Sequence, residues 1–99
     1  MQRRAAIERL KGLESQLRAQ GVCALYLFGS TARGEASRTS DIDLLFEIEP
    51  GFRFSLFDQA RIGRELSERL HARVDLVPRR ALHPMIQPRV EAELVRVFG

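Results

Sequence analysis

Apolar side chains in this chain follow two different spacings, and the two alternate from the first residues to the last. Over residues 5–19, Ile7, Leu10, Leu13 and Leu17 recur close to every 3.6 positions, with Arg, Glu and Gln between them. That periodicity predicts an amphipathic helix, with Gly21 as its stop. Residues 22–28, VCALYLF, are then apolar without interruption and bounded by glycine on both sides, which favours a buried strand over a helix. The polar stretch GSTARGEASRTS reads as a turn holding at most a brief helix. DIDLLFEI, residues 41–48, opens with period-two alternation and predicts a second strand.

Glu49-Pro50-Gly51 ends that strand, and Ser55 can cap a helix running to about His71, with Leu56, Ala60, Gly63, Leu66 and Leu70 as its inner face. RVDLVP, residues 73–78, predicts a third strand closed by Pro78. Pro84 and Pro88 stand near the start of a last helix striped by Ile86, Val90, Leu94 and Val97. The expected order is αβαβαβα, an α/β (α+β) sandwich with a three-stranded sheet. The helical crossover between the second and third strands makes that pair parallel.

Composition narrows the class. The 99 residues suit one small domain, 1–99, and 44% hydrophobic with 29% charged residues is ordinary for a folded soluble protein. No apolar run reaches the roughly 18–20 residues of a membrane span, and the amino terminus lacks the apolar core of a secretory signal. One cysteine, Cys23, permits neither an internal disulfide nor a cysteine zinc cage, so a reducing, cytoplasmic setting is the default. The net charge is +3 and the pI about 10.0. Fifteen of the sixteen basic residues are arginines spread along the chain, which argues against a nucleic-acid groove as the primary role.

The chemistry lies in residues 29–47. Gly29-Ser30 directly follows a buried strand, where backbone N–H groups and a hydroxyl can hold a phosphate, although the same pair also serves as a plain turn. Asp41 and Asp43, at i and i+2 on a strand, point to one face. Two close carboxylates repel each other, and a divalent cation with a taste for oxygen, Mg²⁺ or Mn²⁺, relieves that repulsion; the alternative is a capped turn and a solvated aspartate. Asp75 interrupts an apolar strand and reaches Asp43 if strands two and three are adjacent and parallel; otherwise it faces water from an edge. For Ser30 to meet Asp41, strands one and two must be antiparallel. A phosphate cradle beside three carboxylates suits two-metal phosphoryl or nucleotidyl transfer.

Gly29-Ser30, ten residues, then Asp41-Ile42-Asp43 resembles the signature of the DNA polymerase β-type nucleotidyltransferase superfamily. With Ala32-Arg33-Gly34 and Ser40-Asp41-Ile42-Asp43-Leu44 filled in, the chain resembles its smallest branch over nearly its whole length. That branch is the minimal nucleotidyltransferase (MNT) antitoxins of HEPN/MNT toxin–antitoxin pairs. The resemblance implies a nucleotidyltransferase fold with a mixed sheet. It also implies that Gly29 and Ser30 bind the triphosphate of ATP, and that Asp41 and Asp43 ligate Mg²⁺. Asp75 matches the third carboxylate, a metal ligand that could take the proton of the attacking hydroxyl. The implied reaction is transfer of AMP from ATP to a tyrosine of a partner HEPN toxin, silencing its ribonuclease. Arg33 stands where a guanidinium can pair with phosphate, or equally with Glu35.

Two other roles remain open on the sequence: an antitoxin that neutralises by docking alone, and a free-standing transferase for a small molecule. The short length leaves no second domain to close over such a substrate, so the acceptor is expected on another molecule. Val95 and Phe98 are candidates for contact with a second copy. Phe52 and Phe54 are expected to pack over the core or to touch a base or a partner. His71 reads as a neighbour of a helix cap, His83 as a loop residue, and Tyr26 and Cys23 as core.

Overall fold

The computed structural model describes residues 2–34, 41–81 and 87–99. Two helices, α1 (Arg3–Lys11) and α2 (Glu14–Ala19), lead into β1 (Val22–Phe28) and a single helical turn, α3 (Gly29–Ala32). After β2 (Ile42–Ile48) come α4 (Leu56–Leu70), β3 (Val74–Pro78), a 3₁₀ turn over Arg79–Ala81, α5 (Gln87–Glu93) and β4 (Val95–Phe98). The sheet runs β3-β2-β1-β4. β1 is antiparallel to both β2 and β4, and β2 is parallel to β3, the two strand directions expected from the motif and the crossover.

Each strand divides the sheet into two faces. Leu25, Leu27, Ile42, Leu44, Phe46 and Leu76 point to the helical side, where Leu10, Leu17, Ile62, Leu66 and Leu70 close a single core. The opposite face carries Tyr26, Asp43, Glu47, Asp75 and Arg79. There α5 is tied down by Arg79, which donates to Glu91 at 2.9 and 2.5 Å and to Glu47 at 3.0 Å. The Arg79 guanidinium also lies over the Tyr26 ring, 4.9 Å from its centre.

The outer edge of the sheet, β3, is closed by side chains of α4. Alternation in a parallel pair turns the backbone groups of Val74, Leu76 and Pro78 away from β2, because the Arg73 carbonyl accepts from the Ile42 N–H. Gln59 donates to the Leu76 carbonyl at 3.0 Å, and the Ser67 hydroxyl accepts from the Val74 N–H at 3.2 Å. Pro78 has no N–H to offer.

Three expectations are corrected. The sheet has four strands, not three: the Val95–Phe98 segment, assigned from its stripe to the last helix, is β4. Val95 and Val97 are β-branched at i and i+2, and β1 has a free edge that accepts them. The first helix is two, because Gly12 and Leu13 break it into α1 and α2. The inner face of α4 is also rotated from the expected one. Ile62, Leu66 and Leu70 are buried, whereas Leu56 is 82% exposed and Ala60 is also exposed. The start of α4 is as expected: Ser55 and Asp58 form a reciprocal capping box. His71 itself is the C-cap, in the left-handed region at φ 51°. Phe54 packs against Phe46 with ring centres 5.5 Å apart. Phe52 lies on Gly21, whose φ of 98° and missing Cβ leave room for the ring. Expectations for Glu35, Ser40, His83, Pro84 and Ile86 lie outside the described residues. No helix among the described residues is long and apolar enough to cross a membrane.

Candidate active site

The strand register assembles the site. Phe28 on β1 is opposite Asp43 on β2, and Asp43 is opposite Asp75 on β3, so one row across three strands ends in Gly29 and Ser30 at one side and Asp75 at the other. Neighbouring strands are about 4.8 Å apart, which puts the two aspartates on the same face within reach of one ion. Asp41 stands one residue before β2 and is exposed, as is Asp75; Asp43 is half-buried.

Gly29 is required by this row. Its φ is +75°, and a Cβ built on it would run into the Asp43 carboxylate. The carboxylate therefore rests on the bare Cα of Gly29, and the turn of α3 begins beside it. The first N–H groups of such a turn have no helical partner, and Ser30 adds a hydroxyl beside them. Thr31, next in the turn, is 1% exposed, and its hydroxyl has no hydrogen-bond partner among the described residues. Sequence reading passed over it.

Burial first, then the charges of Asp75 and Asp41, pushes the Asp43 carboxyl above the ordinary carboxylate range, while Arg33 pulls it back down. The Asp43 carboxylate, with Asp75 opposite it and Asp41 two residues before it, forms an oxygen donor set suited to Mg²⁺. Among the described residues no three His, Cys, Asp or Glu side chains form a ready-made metal cage. Mg²⁺ characteristically binds through one or two carboxylates and completes its shell with water and substrate phosphates, so the donors fit the ion in that mode. Asp43 and Asp75, opposite each other in register, would supply those carboxylates, with Asp41 two residues before Asp43 as the further candidate.

Arg33 is exposed and donates to Glu93 on α5 at 3.2 Å. Glu93 is sixty positions away, a contact no local spacing could signal. The Arg79 clasp was equally invisible in sequence. Cys23 donates to the Glu47 carbonyl, and burial, reinforced by Glu49 and Glu47, pushes its thiol up, away from the reactive thiolate. A cavity of about 670 Å³ lies elsewhere, at the far end of the sheet between Phe46, Phe54 and Pro78.

Comparison with known proteins agrees with this geometry. The model of a nucleotidyltransferase domain matches residues 7–97. The chain is 41% identical over 78 residues to the putative protein adenylyltransferase MJ0435 of Methanocaldococcus jannaschii, covering 79% of this chain and 82% of the relative. A solved structure of a putative minimal nucleotidyltransferase superposes with a TM-score of 0.81 at 36% identity, over 96% of this chain and 95% of that one. A chain of a solved toxin–antitoxin with AMP-PNP superposes with a TM-score of 0.74 at 25% identity, covering 92% and 73%.

Proposed function

This chain belongs to the nucleotidyltransferase domain family, and on that footing we propose that it transfers AMP from ATP to a tyrosine of a HEPN toxin encoded beside it, neutralising the toxin. The single domain over residues 1–99 carries the whole nucleotide site in this reading, and the partner brings the acceptor. The observation that carries it is the contact of the Asp43 carboxylate with Gly29, in register with Asp75. In this reading that contact sets the residues that hold phosphate beside those that hold the metal. The adenylyltransferase relative and the toxin–antitoxin with AMP-PNP support the same assignment.

In this reading Gly29 and Ser30 hold the triphosphate, with backbone N–H groups and the Ser30 hydroxyl donating to its oxygens. Asp41 and Asp43 hold Mg²⁺ with Asp75, and when bound the ion supplies charge neutralisation for the triphosphate and the departing pyrophosphate. Asp75, exposed at the end of the row, accepts the proton of the attacking tyrosine hydroxyl. Arg33 adds positive charge near the phosphates while Glu93 fixes its direction.

The test is transfer of labelled AMP from ATP to the HEPN protein in the presence of Mg²⁺. Wild type is expected to label it and Asp43→Ala to fail. Equal labelling by the variant, or none by wild type, overturns the catalytic reading. If the Asp41→Ala/Asp43→Ala double variant still neutralises the toxin in cells, neutralisation is by docking.

A further inference from the structure

Among the described residues, three large apolar side chains are left outside the core: Phe52 at 45%, Leu56 at 82% and Phe57 at 87% exposure. Leu56 and Phe57 are the first two residues of a well-capped, fifteen-residue helix, so their exposure is fixed by the fold. Leu56 also lines two cavities at once. One is the 670 Å³ cavity walled by Phe46, Ile48, Phe54 and Pro78; the other follows α4 along the β3 edge past Gly63 and Val74. The two adjoin at Leu56 and Gln59, so an apolar cavity and a more polar furrow along the β3 edge meet at an exposed leucine, and together they form one groove-lined surface.

The charges along this groove have one sign to spare. Its charged lining is Glu47, Arg64, Arg79 and Arg80. Glu47 is engaged by Arg79 at 3.0 Å, which leaves Arg64 and Arg80, both exposed and without an ion pair among the described residues. Glu47 is four residues from Asp43 along β2, about 14 Å at the usual strand rise; at the other end Val74 and Leu76 flank Asp75 in the chain but turn to the helical side of the sheet, opposite the carboxylates.

We infer that this groove is the surface on which the partner protein docks, and that the partner presents an apolar ridge flanked by carboxylates. The inference rests on the proposed function for the existence of a protein partner, and adds where and by what chemistry it binds. Apolar anchors seated in a pocket supply the affinity, and Arg64 and Arg80 select acidic flanks and steer encounter. A second copy of this chain is the poorer occupant, since its net charge of +3 brings like charge toward two unpaired arginines. Docking away from the carboxylate row leaves ATP free to enter and pyrophosphate free to leave while the partner stays bound.

The experiment uses the full chain and the HEPN protein, with Leu56→Glu/Phe57→Glu and Arg64→Glu/Arg80→Glu double variants. Carboxylates in the first turn of a helix suit its dipole, so the first pair is expected to fold, as checked by circular dichroism, and to bind Mg²⁺–AMP-PNP as wild type does. Both pairs are expected to weaken binding of the HEPN protein by about tenfold or more. The loss from Arg64→Glu/Arg80→Glu is expected to shrink as salt is raised. Wild-type binding without AMP transfer, abolished in Leu56→Glu/Phe57→Glu, sustains the docking surface and defeats the transferase reading. Intact binding and transfer in that variant does the reverse. A wild-type chain that does not bind the HEPN protein overturns the docking surface, and so does a wild-type dimer that the apolar pair converts to monomer.

Discussion

Replacing Gly29 by alanine separates the backbone role of this residue from its role under Asp43. The φ of +75° costs an L-residue roughly 1–2 kcal/mol, and each kcal/mol lowers the melting temperature of a domain this size by about 4–8 °C. The new methyl also occupies the place of the Asp43 carboxylate. Asp43 is only half-buried, so its side chain yields before the backbone does, and the overlap is expressed as a misplaced carboxylate more than as further instability. Gly51 supplies the control. Its φ is +85° and nothing lies within 4 Å of its would-be Cβ, so Gly51→Ala carries the conformational cost alone. Thermal unfolding is therefore expected to show similar losses for the two variants. Titration calorimetry with Mg²⁺–AMP-PNP is expected to separate them: Gly51→Ala binds as wild type, and Gly29→Ala loses roughly 10–100-fold, the range for disturbing a metal ligand's support. Wild-type affinity in Gly29→Ala, or an equal loss in Gly51→Ala, refutes the reasoning.

The raised pKa of Asp43 means that the native chain holds an extra proton between the unfolded and folded values, so stability falls as pH rises through that window. Asp43→Asn is accordingly expected to be more stable than wild type at pH 7 and flatter in urea unfolding across pH, though inactive; lower stability at pH 7 contradicts the assigned cause. Ser55→Ala removes the hydroxyl that accepts from the Asp58 N–H and is expected to cost about 1 kcal/mol in chemical unfolding. The Ser55 N–H and hydroxyl hold the Asp58 carboxyl below its usual range. That contribution is present above the unfolded pKa and fades as pH falls through the folded one, so the Ser55→Ala deficit is expected to narrow in acid. A double-mutant cycle on Arg79→Met and Glu91→Gln is expected to give a coupling of about 0.5–1 kcal/mol; zero coupling means that the clasp does not fasten α5.

Local signals were legible where one element supplied all the information. The glycine-bounded run 22–28, the Ser55 cap and the Pro78 stop gave β1, the start of α4 and the end of β3 to within a residue. The carboxylate row was readable because strand alternation and crossover rules convert Asp41, Asp43 and Asp75 into positions on a sheet. What failed depended on tertiary partners. Val95–Phe98 is a strand because β1 has an open edge, and four residues are too few for periodicity to declare it. Leu56 matched a helical stripe with Leu66 and Leu70, but the buried face of α4 runs through Ile62, Leu66 and Leu70 and leaves Leu56 82% exposed. Arg33–Glu93 and Arg79–Glu91 join segments whose separation in sequence carries no pairing signal.

The hydrogen bonds from Gln59 and Ser67 to the outer strand give α4 a protective duty. An open strand edge is adhesive to any other extended chain, and here the cover is two side chains of one helix. Whenever α4 lifts, the Leu76 carbonyl and the Val74 N–H are uncovered together with the apolar row Ile62, Leu66 and Leu70. Gln59→Ala, which removes the donor to the Leu76 carbonyl, is therefore expected to raise self-association, read by light scattering, while nucleotide binding stays as in wild type.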